Sequence, residues 1–172
     1  MNKGILLVLS GYLMWGCFPL YWALLNHVNP SEVLIHRMLW AVPVLFFLVH
    51  FKSSWKNNFK ASISSKKELV FLFITAILIT INWGGYIYAV NLGRVVEASM
   101  GYFLSPVINM IGGYIFFQER ISKLKQLAVF LATVGALYYV FSGDSFPWLG
   151  FLVGFTFSAY GIARKAMASS AV

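Results

Sequence analysis

Long apolar runs separated by short polar connections make up almost the whole chain. The runs fall at about 4–26, 31–51, 68–91, 97–117, 124–141 and 147–163. A helix needs about 20 mostly apolar residues to cross a bilayer, so the pattern predicts six spans. Five connections join them: "NHVNPS", "KSSWKNNFKASISSKK", "LGRVVE", "QERISKLK" and "SGDSFP". Only the second is long, and it is polar and basic. The expected fold is an all-α polytopic transmembrane helical bundle. Local signals set the helix starts. Asn29-Pro30-Ser31 reads as a stop followed by an N-cap at Ser31, with Glu32 in the first turn facing the positive helix end. Glu97 repeats that placement on the fourth helix, and Ser122 reads as the N-cap of the fifth.

Composition turns this pattern into a class. Hydrophobic residues are 60% of the 172 and charged residues 10%, and mean hydropathy is +0.77. Soluble domains carry about 25% charged residues, so the first expected partner is the lipid bilayer. The net charge of +8 does not point to nucleic acid, because the basic residues sit in the short connections, as topology signals do. With the N-terminus inside, the inner segments hold Lys3, Lys52, Lys56, Lys60, Lys66, Lys67, Arg120, Lys123, Lys125, Arg164 and Lys165, eleven of the thirteen basic residues. Arg94 alone lies in an outer loop and Arg37 lies within a helix. The expectation is that both termini are cytoplasmic. Cys17 is the only cysteine, so neither an intrachain disulfide nor a cysteine metal site is expected. The first run is too long for a signal-peptide core.

Candidate chemistry comes from polar residues at depth. Arg37 lies six residues past Ser31, about 9 Å along the helix, where an arginine must snorkel, pair or face water. Two readings stand for it: a headgroup-reaching side chain beside a capping Glu32, or a vestibule with His36, for which Glu97 is the candidate ion partner. His27, Glu32 and His36 lack a spacing that sets metal geometry, so no metal site is expected. On the third helix, "INWGGYIYAVN" puts Asn82 and Tyr86 on one face, and Gly84-Gly85 permits close approach or a local break. On the fourth, "GYFLSPVINMIGG" aligns Tyr102, Ser105 and Asn109, with Pro106 removing a backbone hydrogen bond. Trp15 and Pro19 align with this zone on the first helix. Each stripe reads as interhelical packing. Together, polar or broken positions at similar depth on four helices read as a transporter binding site near the midplane. The candidate substrate-binding set is Trp15, His36, Arg37, Asn82, Tyr86, Tyr102, Ser105 and Asn109; the ion-pair and vestibule set is Glu32, Arg37 and Glu97.

At these residues the chain resembles a known family. "SEVLIHRMLW", "INWGGYIYAVN", "EASMGYFLSPVINMIGGYIFFQER" and "FPWLGFLVGFTFSAYGIARK" closely resemble the RarD branch of the EamA family, in the drug/metabolite transporter superfamily. The resemblance implies a bacterial inner-membrane permease for small metabolites or drugs. Its ten helices are built as two inverted five-helix repeats around a central cavity. It also implies that 1–146 is the first five-helix repeat and 147–172 the first helix of an incomplete second one, since family members are about twice as long. The implied partners are a small-molecule solute and either the missing C-terminal half or a second copy of the chain. Transport by this chain alone is not expected.

Other function classes fare less well. A hydrolase needs a nucleophile with a positioned base, and Ser105 has no histidine at its depth. No G-x-x-x-x-G-K-[ST] loop is present, which argues against a nucleotide cofactor. No cofactor is expected. The five acidic residues, Glu32, Glu68, Glu97, Glu119 and Asp144, all fall near membrane interfaces, so coupling through a mid-membrane carboxylate is not expected within this segment. The alternative to a permease is a non-transporting membrane accessory or assembly protein.

Overall fold

The computed structural model describes residues 3–51, 65–143 and 145–169. Among them there are six helices and no strand: α1 Lys3–Leu24, α2 Pro30–Phe51, α3 Lys66–Asn91, α4 Val95–Phe117, α5 Lys123–Ser142 and α6 Trp148–Ser169. The protein is thus an all-helical bundle. Helices α1 to α5 are long and apolar enough to cross a membrane. The expected sixth span forms a helix of 22 residues but is less apolar than the other five, because Gly150, Gly154, Thr156, Ser158 and Gly161 take positions that leucine or valine would fill in a lipid-facing helix. Most of the basic connection expected at 52–67, and Asp144, lie outside the described residues.

Helix starts follow the capping rules, with one correction. α2 is capped by Asn29 rather than Ser31: the Asn29 Oδ1 accepts from the Ser31 N–H at 2.9 Å. Pro30 takes the first helical position, where its missing N–H costs nothing, so the cap falls one residue before it. Ser122 Oγ accepts from the Lys125 N–H at 3.4 Å and caps α5 as expected. Ser65 does the same for Glu68 at 3.1 Å and starts α3. Gly93 adopts φ +72 in the turn between α3 and α4, a left-handed conformation that glycine takes without steric cost. Of the two readings of Gly84-Gly85, close approach and a local break, the structure shows the first. α1, α2 and α4 run continuously through Pro19, Pro43 and Pro106, and Gly84-Gly85 leaves α3 unbroken. Those two glycines instead admit neighbours: a Cβ at Gly84 would lie 3.1 Å from Leu34 Cδ2, and one at Gly85 would lie 3.0 Å from Leu152 Cδ2.

Packing centres on α6. Its largest contacts are with α4 and then α3. Gly101 on α4 meets Gly150 and Gly154 on α6 so closely that a Cβ at Gly101 would collide with the Gly150 carbonyl oxygen. Small residues let backbones approach in this way. Leu149, Val153, Ala89 and Ala98 are fully buried around the seam. By contrast, α1 and α2 rest on α3, α5 rests on α4, and their leucines and phenylalanines face outward.

Candidate functional site

Aromatic and small polar side chains from four helices enclose a cavity of about 510 Å³. Trp15 comes from α1, Tyr86 from α3, Tyr102, Ser105 and Asn109 from α4, and Phe157 from α6. Tyr102 is the hub: its ring centroid lies 6.3 Å from Trp15, 5.8 Å from Tyr86 and 5.5 Å from Phe157. The i, i+3, i+7 spacing on α4 directs Tyr102, Ser105 and Asn109 to this one side. The Ser105 hydroxyl is held by backbone, reaching the Gly101 oxygen at 3.2 Å and the Gly154 oxygen at 3.5 Å. Asn109 is exposed to the cavity and has no hydrogen-bonding partner among the described residues. An apolar wall with a few polar groups is the general form of a ligand pocket, and pockets span about 300–1,000 Å³.

Asn82 is on α3 but does not line this cavity. It is fully buried in the α3–α6 seam, where its Nδ2 donates to the Val153 oxygen at 2.7 Å and to Thr156 Oγ1 at 3.1 Å. Its Oδ1 has no partner among the described residues. Interhelical hydrogen bonds of this kind contribute about 0.6 kcal/mol each in a membrane.

Arg37 flanks a second cavity of about 440 Å³ that shares Tyr12 and Trp15 with the first. Its Cζ lies 3.8 Å from the Trp83 ring centroid and 5.5 Å from that of Trp22. Cation–π contacts contribute about 0.5–2 kcal/mol each, against a few kcal/mol for an arginine inside a membrane helix, so stacking offsets part of that cost. His36 and Glu32 are exposed and line neither cavity. The expected Arg37–Glu97 ion pair is corrected. Glu97 Oε2 pairs at 2.6 Å with Arg94, three residues back at the N-cap of α4. Its Oε1 accepts from the Leu149 N–H at 2.8 Å. A helix N-terminus leaves its first N–H groups unpaired, and a carboxylate from α4 thus caps α6. At the other end of the bundle, Lys165 of α6 pairs with Glu119, just past α4. That pairing holds the Glu119 carboxyl below its ordinary range.

Sequence reasoning passed over Tyr12 and Phe157, which line the cavities, and the seam glycines. The glycines had a legible signal: "GFLVG" places Gly150 and Gly154 at the small-xxx-small spacing of close helix pairs. Phe157 had none, since one phenylalanine among 16 is not distinguished by spacing.

Five helices long and apolar enough to cross a membrane define a multi-pass membrane protein. Its sequence carries the identity further. The EamA-like transporter family matches residues 2–141, and the chain belongs to that family, in its RarD branch. It is 36% identical over 166 residues to "Uncharacterized transporter YojE" of Bacillus subtilis, covering 95% of this chain and 56% of that protein. It is 36% identical over 170 residues to "Protein RarD" of Escherichia coli, covering 99% and 57%. With "Chloramphenicol-sensitive protein RarD" of Pseudomonas aeruginosa it shares 29% identity, covering 99% and 58%. The chain therefore spans little more than half the length of these curated relatives. No solved structure matches it significantly.

Proposed function

We propose that the chain is part of a solute permease of the bacterial inner membrane, one that moves a small metabolite or drug by alternating access. The observation that carries this reading is the 510 Å³ cavity, where Trp15, Tyr86, Tyr102 and Asn109 from three helices face one volume. Membership of a transporter family supports it. In this reading 1–146 is one five-helix repeat and 147–172 opens a second, with the outward apolar faces of α1, α2 and α5 available to lipid, to a C-terminal half or to a second copy. Inverted repeats place their substrate sites at the repeat interface. The eleven basic residues on one side, eight in alternate connections and three near the chain ends, support cytoplasmic termini.

The test is uptake of radiolabelled chloramphenicol and of a panel of small metabolites into vesicles. The chain is expressed alone and with the C-terminal half of the Bacillus subtilis relative. Transport is expected only from the pair. Asn109→Ala should cut it about tenfold while folded protein in the membrane stays constant. Parallel loss of transport and folded protein would make Asn109 a packing residue, and no transport of any solute by the pair would favour the accessory-protein reading.

A further inference from the structure

Arg37 is the one charged group lining the 440 Å³ cavity; the other lining residues include Leu7, Tyr12, Trp15, Phe18 and Trp83. It has no carboxylate partner among the described residues, and Glu97 is engaged by Arg94 and Leu149. No acceptor among the described residues takes a hydrogen bond from its guanidinium. The guanidinium stacks on Trp83, eight residues inside the C-terminal end of α3, which is about 12 Å along that helix. Stacking satisfies the face of a guanidinium and leaves its N–H donors, which radiate in the plane, free for another group. Those donors form a fork that matches a carboxylate or phosphate in a bidentate fashion. The half-buried position reduces solvent competition, and an uncompensated positive charge in an apolar wall sets a potential that favours an anion.

From this geometry we infer that the solute is an amphipathic organic anion. Its carboxylate or phosphate is taken by Arg37, held between Trp22 and Trp83, and its apolar body lies against Tyr12 and Trp15. This inference rests on the permease reading above and names the substrate class for it. Tyr12 and Trp15 wall both cavities, so an anion bound at Arg37 has its apolar end at the entrance to the space around Tyr102. Trp22 and Trp83 are positioning residues here: they orient the guanidinium.

Phenylacetate and its neutral isostere phenylacetamide test the inference directly. Binding of each to the chain in lipid nanodiscs is followed by tryptophan fluorescence and by isothermal calorimetry. Phenylacetate is expected to bind at least tenfold more tightly than the amide and to change the tryptophan emission, since its carboxylate lands between two indoles. Arg37→Gln should abolish that preference, and Arg37→Lys should retain only part of it, because an ammonium lacks the planar fork. Trp83→Leu should weaken phenylacetate more than phenylacetamide. The wild-type comparison needs no variant to fold. Equal binding of the two probes, binding of neither, or a preference that survives Arg37→Gln overturns the anion site. Uptake of both probes by the paired halves in vesicles separates the two readings. Uptake of the amide but not of the acid leaves a permease without an anion site. Arg37-dependent binding with no uptake leaves an anion site and removes the permease reading.

Discussion

The α3–α4–α6 seam and the outer helices α1, α2 and α5 behave oppositely, although α3 and α4 are as apolar as the outer three. In the seam, Leu149, Val153, Ala89 and Ala98 are fully buried and polar groups close on one another. On the outer helices, Leu7, Leu20 and Phe130 are 73%, 72% and 62% exposed. Hydrophobicity does not separate the two regions, because lipid tails receive a leucine as well as another helix does. What separates them is small residues that let backbones approach and polar groups that must find partners. The lesson is that the seam is a scaffold specified by glycine and hydrogen bonds. The outer faces are surfaces whose partners are lipid or further protein.

The sharpest way to break this contrast is to add the same side chain in both regions. Gly101→Val puts a branched side chain where a single Cβ already collides with the Gly150 carbonyl. Because that obstacle is backbone, the helices must separate, at a cost of about 3 kcal/mol or more. Gly16→Val adds the same atoms on α1, where nothing lies within 4 Å of the new Cβ, and should change stability by under about 0.5 kcal/mol. Reversible unfolding in mixed micelles measures both. Similar losses at the two sites would erase the distinction between seam and outer helices.

Glu97 sharpens the contrast at one end of the seam. It is 5% exposed and joins Arg94 to the start of α6. Glu97→Ala leaves both the Leu149 N–H and a partly buried guanidinium without an acceptor. Removing one member of a buried pair costs about 3–5 kcal/mol; with Arg94 32% exposed, about 2–3 kcal/mol is expected here. Glu97→Gln keeps a carbonyl oxygen for Leu149 and should lose about half as much. Hydrogen exchange at the first turn of α6 reads the local effect: faster in Glu97→Ala, near normal in Glu97→Gln. Equal exchange in all three proteins would show that α6 needs no cap from α4.

The spans were legible because bilayer thickness imposes a length on each apolar run, and Ser122 was legible because capping is local chemistry. Tyr102, Ser105 and Asn109 share a side for the same reason: helical periodicity is a property of one segment. Asn82 shows the limit. Its depth was readable, but which helix it faces depends on how α3 and α6 rotate against each other, a contact in which Gly85 meets Leu152. The Arg37–Glu97 pairing failed in the same way. Both residues were placed near one end of the bundle, yet Arg94 lies three residues from Glu97 at the N-cap of the same helix, and local proximity wins over a partner on a distant helix. Periodicity gives a residue's side of its own helix and leaves its neighbour open.

The smallest expected effect is at the opposite end of the seam, where Lys165 of α6 meets Glu119. Both side chains are about half exposed, and water screens such pairs. Here the seam meets solvent, so it should lose the character it has at Glu97. The sign follows from the depressed carboxyl of Glu119, whose first cause is its hydrogen bond to Lys165. A carboxyl depressed in the folded state contributes its stability in full above its unfolded pKa. That contribution is lost as pH falls through the lower folded value. Glu119→Gln should therefore lower the midpoint of thermal unfolding slightly at pH 7, and the difference from the unaltered chain should vanish once pH drops below the carboxylate range. Raising salt at pH 7 should shrink the same difference, because an exposed pair is screened. Thermal melts across pH 3 to 7 at low and high salt measure it. A pH-independent difference would mean that Glu119 acts through packing against Gly113, where a Cβ would meet its Oε2 at 2.6 Å, and that even the solvent end of the seam is held by close contact and not by charge.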